Sequence, residues 1–185
     1  MSTLVHRKMT ADEFLTWSEG LAGRWELHNG VPYRMAPERA VHFEVKLAVQ
    51  VALLRAIKKA GLECHVLGDG VSVRISQHVL YDPDAFVYCG PKLPSNTLEV
   101  SNPVLLVEVA SPSTRKFDDT VKRNGYFSLS SVHHYFLVDP DGPPVVHYSR
   151  QAVGTPRREE VHGGTLTLAP PGIELAVAEL FAMEP

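Results

Sequence analysis

Two carboxylates in strand-like runs are the residues most able to do chemistry. Glu108 is the single charged residue in the apolar run from Pro103 to Ala110, and Asp84 opens a second run that ends at Tyr88. Because burying a dry, unpaired carboxylate is costly, such a group is normally protonated, ion-paired or bound to a metal. Two acids at the ends of neighbouring strands can share one hard divalent cation through their oxygens. The sequence therefore predicts a metal site at Asp84 and Glu108.

Plainer interpretations of the same residues remain open. Glu108 could be a protonated or ion-paired core acid, and Asp84 could form a turn after Pro83. The strand context of Glu108 favours a functional role. Asp84 is favoured as a ligand only in combination with Glu108.

Length and composition predict one domain over residues 1–185. The chain is 44% hydrophobic and has a formal net charge of -3, so no global charge indicates a polyanionic partner. Basic residues cluster on two predicted helices, where solvated faces are the commoner explanation. These residues are Lys46, Arg55, Lys58 and Lys59 on one helix, and Arg115, Lys116, Lys122 and Arg123 on the other.

The cysteines and the lengths of the apolar segments indicate the cellular compartment. The two cysteines, Cys64 and Cys89, support neither a disulfide framework nor a cysteine zinc site. The first eight residues lack the apolar core of a signal peptide, and no stretch approaches the roughly 20 apolar residues of a membrane helix. We expect a cytoplasmic protein with no membrane partner.

The first part of the chain predicts a short helix, a hairpin and a long helix. Thr10 and Glu13 have capping-box spacing, and Asn29-Gly30 favours a tight turn in a hairpin that carries Glu26. From about Val41 to Ala60, four apolar residues recur at spacings of three and four, which predicts a helix that covers the sheet. The four are Phe43, Leu47, Val51 and Leu54.

The rest of the chain alternates strands with one further helix. Gly, Asp and Pro residues, which favour turns, separate the apolar runs. The segment from Gly90 to Asn102 is predicted to be a polar loop. A helix is expected from about Phe117 to Leu129. The predicted strands are Cys64 to Leu67, Val71 to Ile75, Asp84 to Tyr88, Val104 to Ala110, Tyr135 to Asp139, Val145 to Tyr148, Glu159 to His162 and Thr165 to Leu168. This order predicts an α/β fold: a mixed β-sheet flanked by helices, with an N-terminal hairpin and antiparallel C-terminal strands.

The order and spacing of several short motifs resemble a known family. From about Met9 to Tyr148 the chain is similar to the Uma2 family of restriction-endonuclease-like proteins, which lies within the PD-(D/E)xK phosphodiesterase superfamily. The motifs are Met9-Thr-Ala-Asp-Glu-Phe14, Trp25-Glu-Leu-His-Asn-Gly30, Pro83-Asp84, Val107-Glu-Val-Ala-Ser-Pro-Ser-Thr114, Lys122 with Tyr126, and His134-Tyr-Phe-Leu-Val-Asp-Pro140.

The resemblance implies roles for five residues. Asp84 and Glu108 would be metal ligands, and Lys122 would supply the basic group of the motif. Glu26 would position a metal-bound water, and His42 would contact phosphate or transfer a proton. Each has a plainer alternative, because Lys122 could be a solvated helix lysine, Glu26 could pair only with a nearby arginine, and His42 could lie at a helix start.

Two departures from the family pattern accompany the resemblance. The usual motif places its lysine two residues after the strand glutamate, where this chain has Ala110, so Lys122 would reach the site from the following helix. After Asn29-Gly30 the chain has Val31-Pro32, where family members often carry another glutamate.

The resemblance implies a metal-dependent endonuclease that hydrolyses DNA phosphodiesters with Mg2+, for which Mn2+ could substitute. A homodimer is expected because two sites related by a twofold axis suit the cutting of two strands. Two alternatives stay open: a non-catalytic nucleic-acid-binding or protein-binding module on the same fold, and a Mg2+ phosphohydrolase of a small substrate.

Overall fold

A computed structural model of the chain describes residues 8–111 and 114–182. The expectation about the first eight residues therefore falls almost entirely outside the described ranges, and so do Pro112 and Ser113 of the motif that ends at Thr114. The helical elements are α1 (Ala11–Ser18), α2 (Ala40–Ala60), α3 (Arg115–Phe117), a π-helical turn (Asp118–Lys122), α4 (Arg123–Ser128) and a 3-10 turn (Val177–Leu180). The strands are β1 (Trp25–His28), β2 (Val31–Arg34), β3 (Cys64–Gly68), β4 (Ser72–Ser76), β5 (Val79–Tyr81), β6 (Ala85–Cys89), β7 (Glu99–Val100), β8 (Leu105–Val109), β9 (His134–Val138), β10 (Val145–Ser149), β11 (Arg157–Val161), β12 (Thr165–Leu168) and β13 (Ile173–Ala176).

The strands form three sheets, and helices pack against them. One sheet has the order β2-β1-β5-β4-β7, a second has the order β11-β10-β9-β8-β6-β3, and β12 pairs with β13. Strands β8 and β9 run parallel, as do β4 and β7, whereas the other pairs are antiparallel. The predicted mixed α/β fold with an N-terminal hairpin and antiparallel C-terminal strands is confirmed.

Local signals at the N-terminal end are confirmed. Thr10 and Glu13 form the reciprocal capping box, since Glu13 N donates to Thr10 Oγ1 at 3.2 Å and Thr10 N donates to Glu13 Oε2 at 2.8 Å. The hairpin turns at Asn29 and Gly30, both with positive φ, and β1 pairs with β2. Glu26 therefore lies on a strand whose partner is fixed by a local turn.

The long helix forms where it was predicted, but its buried face was predicted wrongly. Phe43 and Leu54 are 60% and 52% exposed, and Leu47 and Val51 are only partly buried. The face that packs on the sheet is a different one, which carries seven apolar residues together with two polar ones. It consists of His42, Val45, Lys46, Ala48, Val49, Ala52, Leu53, Ala56 and Ile57. The spacing matched both faces, and the face with Phe43, Leu47, Val51 and Leu54 is the more exposed one.

Strand β8 is buried on both faces, as expected for a central strand. Leu105, Val107 and Val109 pack in the cluster under α2, whereas Leu106 packs in a second cluster that contains Tyr126. Alternation along a strand places Glu108 on the same face as Leu106. A glutamate in this position is fully enclosed by protein.

Three short strands were not predicted. Strand β7 lies inside the segment expected to be a loop, where it pairs in parallel with β4, and β5 and β13 had not been recognised. The helix expected from Phe117 to Leu129 is divided into α3, the π turn and α4. Strands of two to four residues carry too little alternation to be recognised before their partners are known.

The expectation about the cysteines was wrong in one respect. Cys64 and Cys89 lie directly opposite each other in the β3–β6 pair and form a disulfide. Their separation along the chain gave no indication of this contact, because strand pairing brings them together.

Within the described ranges, none of the helices has the length and apolar character needed to cross a bilayer.

Candidate active site

Strands β6 and β8 bring Asp84 and Glu108 side by side. The antiparallel register pairs Ala85 with Val107, so one step further places Asp84 opposite Glu108. Val109 N donates to Asp84 Oδ2 at 2.7 Å, which fixes the carboxylate against the neighbouring strand. Both residues are 4% exposed. The predicted neighbourhood of the two acids is thus present.

Gly68 makes the close approach at Asp84 possible. A Cβ on Gly68 would lie 2.7 Å from the Asp84 carbonyl oxygen, and Gln50 Nε2 donates to the same oxygen at 3.0 Å. A side chain at position 68 would therefore displace β3 or β6.

Glu108 has two direct polar partners. Lys122 Nζ donates to Glu108 Oε1 at 3.1 Å, and the Tyr126 hydroxyl donates to the same oxygen at 2.6 Å. Burial raises the pKa of Glu108 well above its ordinary value; the Lys122 charge opposes this, but nearby carboxylates, Asp84 first among them, add to the increase. The carboxyl group therefore has a strong tendency to hold a proton unless further positive charge arrives.

Glu26 meets the same lysine from the hairpin. Its Oε1 lies 2.7 Å from Lys122 Nζ and accepts from Asp82 N at 2.9 Å, and its Oε2 lies 3.0 Å from His28 Nε2. Burial would raise the pKa of Glu26, but these partners outweigh it and lower the pKa to about 2. Glu26 is an ionised, buried carboxylate in the described structure, and it does not pair with Arg24 or Arg34 there.

The π turn positions Lys122. Both Asp118 and Lys122, the first and last residues of the turn, are buried, and Lys122 is only 4% exposed. Lys122 Nζ also lies 3.9 Å from Asp118 Oδ1. Burial lowers the pKa of Lys122, but the surrounding carboxylates raise it well above its ordinary value. The alternative of a solvated helix lysine is therefore wrong. Single π turns inside helices are frequent at functional sites.

Helix α2 supplies a second basic group to Asp84. Lys46 is 2% exposed and its Nζ lies 3.1 Å from Asp84 Oδ1, while His42 Nε2 lies 3.8 Å from Asp84 Oδ2. Lys46 Nζ also contacts Glu38 Oε2 at 2.8 Å and Asp69 Oδ2 at 2.5 Å. Burial would raise the pKa of Asp84, but His42, Lys46 and the Val109 N–H outweigh it, so this pKa lies below its ordinary value.

Arg24, next to the hairpin, contacts two of the acids that also bind Lys46 and thereby extends this network of ion pairs. Its guanidinium lies 2.7 Å from Glu38 Oε1, 2.8 Å from Asp69 Oδ1 and 3.2 Å from Asp82 Oδ2. Asp82 Oδ1 also accepts from Gly70 N at 3.0 Å. These contacts connect the start of β1 to the segment between β5 and β6.

The described network contains more acids than bases. Its basic residues are Arg24, Lys46, Lys122, His28 and His42, and its carboxyl groups are Glu26, Glu38, Asp69, Asp82, Asp84, Glu108 and Asp118. Burial, together with neighbouring acids, raises the pKa values of Asp69, Asp82 and Asp118. A bound cation would relieve this crowding of negative charge.

One group of side chains already has the spacing of a metal site. A ligand atom from each of Glu38, His42 and Asp84 lies within 4.8 Å of the others. Glu108 is outside this group. Carboxylate oxygens suit Mg2+ and Mn2+, and an imidazole nitrogen favours Mn2+ over Mg2+. The donor set therefore fits a divalent cation centred on Asp84.

Comparison with known protein families assigns the chain to one family. Residues 11–178 match the family model Uma2, described as "Putative restriction endonuclease". The chain belongs to the Uma2 family. It is also 26% identical over 148 residues to "Uncharacterized protein slr1290" of Synechocystis sp., an alignment that covers 80% of this chain and 77% of that protein.

A solved structure shares the Uma2 fold. The crystal structure of a "putative nuclease belonging to DUF820" from Anabaena variabilis superposes with a TM-score of 0.70 at 17% sequence identity. The superposition covers 94% of this chain and 97% of that one. The likeness establishes the fold, which is nuclease-like.

A surface cleft lies beside the acids of this Uma2 chain. It has a volume of about 650 Å³ and shares Glu38 and Arg24 with the network. Arg34, an exposed residue, lies on its wall with the guanidinium 6.0 Å from the centre of the Trp25 ring. Among the described residues, Arg34 makes no salt bridge to a carboxylate within 4.0 Å.

Sequence analysis missed Lys46, Glu38, Asp69 and Arg24. Lys46 had been placed on a solvated basic face together with Arg55, Lys58 and Lys59, all three of which are exposed. His42, Val45, Lys46 and Val49 have the spacing of one helical face, but the face with Phe43, Leu47, Val51 and Leu54 has the same periodicity, so spacing alone could not identify Lys46 as buried.

Proposed function

We propose that this Uma2 domain, taken as residues 1–185, is a metal-dependent endonuclease that hydrolyses DNA phosphodiester bonds. The observation that carries the proposal is the burial of Lys122 between Glu26 and Glu108, with Asp84 directly before the adjoining strand β6. An enclosed lysine among acids at a strand end is costly to fold, and family membership gives a chemical reason for it.

Asp84 and Glu108 are the proposed metal ligands, and Glu38 with His42 forms the competing ligand set around Asp84. A bound Mg2+ or Mn2+ would supply Lewis acidity and would lower the pKa of a water molecule. Lys122 would stabilise the negative charge that grows on the phosphate, since its pKa keeps it protonated at neutral pH. Glu26, held ionised, would orient water, and His42 would contact phosphate or exchange a proton.

The cleft beside Glu38 is the proposed path of the DNA strand. Arg34 and Arg24 line it, and an arginine side chain binds phosphate well because its planar fork offers several donors. Arg24 is already paired with three acids, so Arg34 is the better candidate for phosphate contact. We also infer a homodimer, in which two sites would serve the two strands of a duplex.

A cleavage assay tests the proposal. Purified protein is incubated with supercoiled, linear and single-stranded DNA in Mg2+ or Mn2+, beside Asp84→Ala and an exposed-lysine control, Lys116→Ala. We expect divalent-dependent cleavage by wild type and by Lys116→Ala, and none by Asp84→Ala.

Two other results would contradict the proposal of a DNA endonuclease. Binding of DNA without cleavage under any divalent ion supports a non-catalytic module. Hydrolysis of small phosphodiesters that DNA does not inhibit supports a small-substrate phosphohydrolase.

A further inference from the structure

Lys46 lies at the centre of a group of carboxylates beside the proposed metal site. Its Nζ is 2.5 Å from Asp69 Oδ2, 2.8 Å from Glu38 Oε2 and 3.1 Å from Asp84 Oδ1, and the residue is 2% exposed. The contact with Asp84 is the longest of the three. One buried ammonium group therefore contacts three acids, and Asp84 among them is the ligand that both proposed ligand sets share.

Lys46 has two of these partners in common with Arg24. Arg24 lies 2.7 Å from Glu38 Oε1 and 2.8 Å from Asp69 Oδ1, so each of these two acids contacts both bases. Arg24, Glu38, Lys46 and Asp69 thus form a closed quartet of two bases and two acids. If its contact with Asp84 were lost, Lys46 would keep two partners of opposite charge.

The Asp84 carboxylate is held by groups other than Lys46 as well. Its Oδ2 accepts from Val109 N at 2.7 Å and lies 3.8 Å from His42 Nε2, whereas Oδ1 faces Lys46. Gln50 Nε2 donates to the backbone carbonyl oxygen of the same residue at 3.0 Å. Since these contacts do not involve Lys46, Asp84 can stay in place when the ammonium group moves away.

We propose that Lys46 and a divalent cation compete for Asp84, so that binding of the cation moves the ammonium group towards Glu38 and Asp69. Distances from Mg2+ to its oxygen ligands are about 2.1 Å, so a cation on Asp84 Oδ1 would lie within roughly 5 Å of Nζ if Lys46 stayed in place. Two positive charges this close in a buried site repel each other strongly. Lys46 thereby raises the metal concentration at which Asp84 binds a cation. The inference rests on the metal site of the proposed function, not on DNA cleavage.

The competition favours Glu108 over Glu38 as the second carboxylate ligand. Lys46 Nζ donates to both oxygens of Glu38, at 2.8 and 2.9 Å, and Arg24 donates to Oε1 at 2.7 Å. A displaced ammonium group needs these oxygens more, because it has lost Asp84. Glu38 then acts as the counter-ion of Lys46, and the cation is left to Asp84 and Glu108.

Calorimetric titration of the full chain with Mn2+ tests the competition. Lys46→Met removes the charge but keeps a long side chain, and it should tighten Mn2+ binding by about tenfold or more. If Lys46 only positioned Asp84, its loss would instead weaken binding. Lys58→Met, at an exposed position of the same helix, should bind Mn2+ like wild type.

Two matched double variants separate direct competition from the general effect of removing a positive charge. Lys46→Met/Asp69→Asn and Arg24→Met/Asp69→Asn each remove one base and the same acid, so the quartet stays neutral. Of the two bases, Lys46 makes the ion pair with Asp84, whereas the ion pairs of Arg24 are with other acids. The first variant should therefore bind Mn2+ about tenfold or more tightly than the second.

Two results overturn the inference. One is Mn2+ binding by Lys46→Met that is equal to or weaker than that of wild type, and the other is equal affinity of the two double variants. If Lys46→Met does not fold by circular dichroism, the double variants decide. In either case the metal site stands as long as Asp84→Asn loses Mn2+ binding. Failure of wild type and of every Lys46 variant to bind Mn2+ overturns the metal site itself, and the competition with it.

Discussion

Lys122 Nζ lies 2.7 Å from Glu26 Oε1, and neither side chain is more than 6% exposed. Glu108 reaches the same ammonium group at 3.1 Å, so one lysine contacts carboxylates from β1 and β8. A π turn between α3 and α4 holds that lysine in place. The contact joins the hairpin, the central strand and the helix that follows it, and it makes Lys122 a structural residue as well as a candidate for chemistry.

Lys122→Ala should destabilise the protein strongly. Removing one partner of a buried ion pair typically costs about 3–5 kcal/mol, because the remaining charge is left uncompensated. Lys116→Ala, at an exposed position six residues earlier, should change the free energy of unfolding by about 0.5 kcal/mol or less. Urea unfolding of both variants measures the contrast. Equal stability of the two would contradict the buried position of Lys122.

Divalent cations should stabilise the folded protein through Asp84. At a metal concentration about 100 times Kd, preferential binding to the folded state adds about 2.7 kcal/mol of stability. Asp84→Asn should abolish the gain and Glu108→Gln should remove most of it, whereas Glu38→Gln should have the smaller effect. Thermal unfolding with and without Mn2+ measures each gain.

The Glu38→Gln and Glu108→Gln variants distinguish the two proposed sets of metal ligands around Asp84. If Glu38→Gln removes the gain and Glu108→Gln does not, the cation is held by Glu38, His42 and Asp84. A full gain in Asp84→Asn would show that the cation binds elsewhere.

Arg34→Ala should weaken DNA binding by removing one phosphate contact. The slope of log K against log salt concentration should then decrease by roughly one, and sequence preference should not change. Folding should be unaffected, since Arg34 is exposed. Fluorescence anisotropy with labelled DNA at several salt concentrations provides the measurement. Arg157→Ala, on the distant edge strand β11, is the control, and an effect as large as that of Arg34→Ala would place the DNA elsewhere.

Acidification should destabilise the protein first through two histidines. His134 Nδ1 lies 3.0 Å from His147 Nε2, and burial lowers the pKa of each from 6.5 to about 4. The unfolded chain therefore binds protons between these pH values that the folded chain does not bind. It follows that stability is complete above about pH 6.5 and is lost as the pH falls towards about 4.

His147→Gln should reduce the pH dependence in that window. Loss of one proton of difference lowers the slope of the unfolding free energy by roughly 1.4 kcal/mol per pH unit. Glu26 acts in a lower window, since its pKa falls from 4.5 to about 2, and its contribution is lost as the pH decreases through that range. Urea unfolding from pH 7 to about pH 2 covers both windows. If the unfolding free energy of His147→Gln has the same pH dependence as that of wild type, the His134–His147 pair does not cause it.

The sequence by itself determined the features that depend on neighbours along the chain. The capping box of α1, the Asn29-Gly30 hairpin and the extent of α2 are local, and each was confirmed. The odd position of Glu108 in an apolar strand was also visible, because burying a charge is costly wherever the strand packs. Asp84 was linked to Glu108 on the same ground, as a second acid in a strand-like run, whereas the roles of Glu26, Lys122 and His42 came from family resemblance. The structure places these four residues in or beside one network.

Tertiary structure decided what depends on pairing between distant segments. The rotation of α2 could not be read from spacing, because both faces have helical periodicity, and this choice buried Lys46 and exposed Phe43. The disulfide between Cys64 and Cys89 follows from strand register. Lys46 and Lys122 are charged residues of ordinary helices until carboxylates from several strands surround them. The two lysines are buried because carboxylates from several distant segments contact them together. No single segment of the sequence shows all of those contacts.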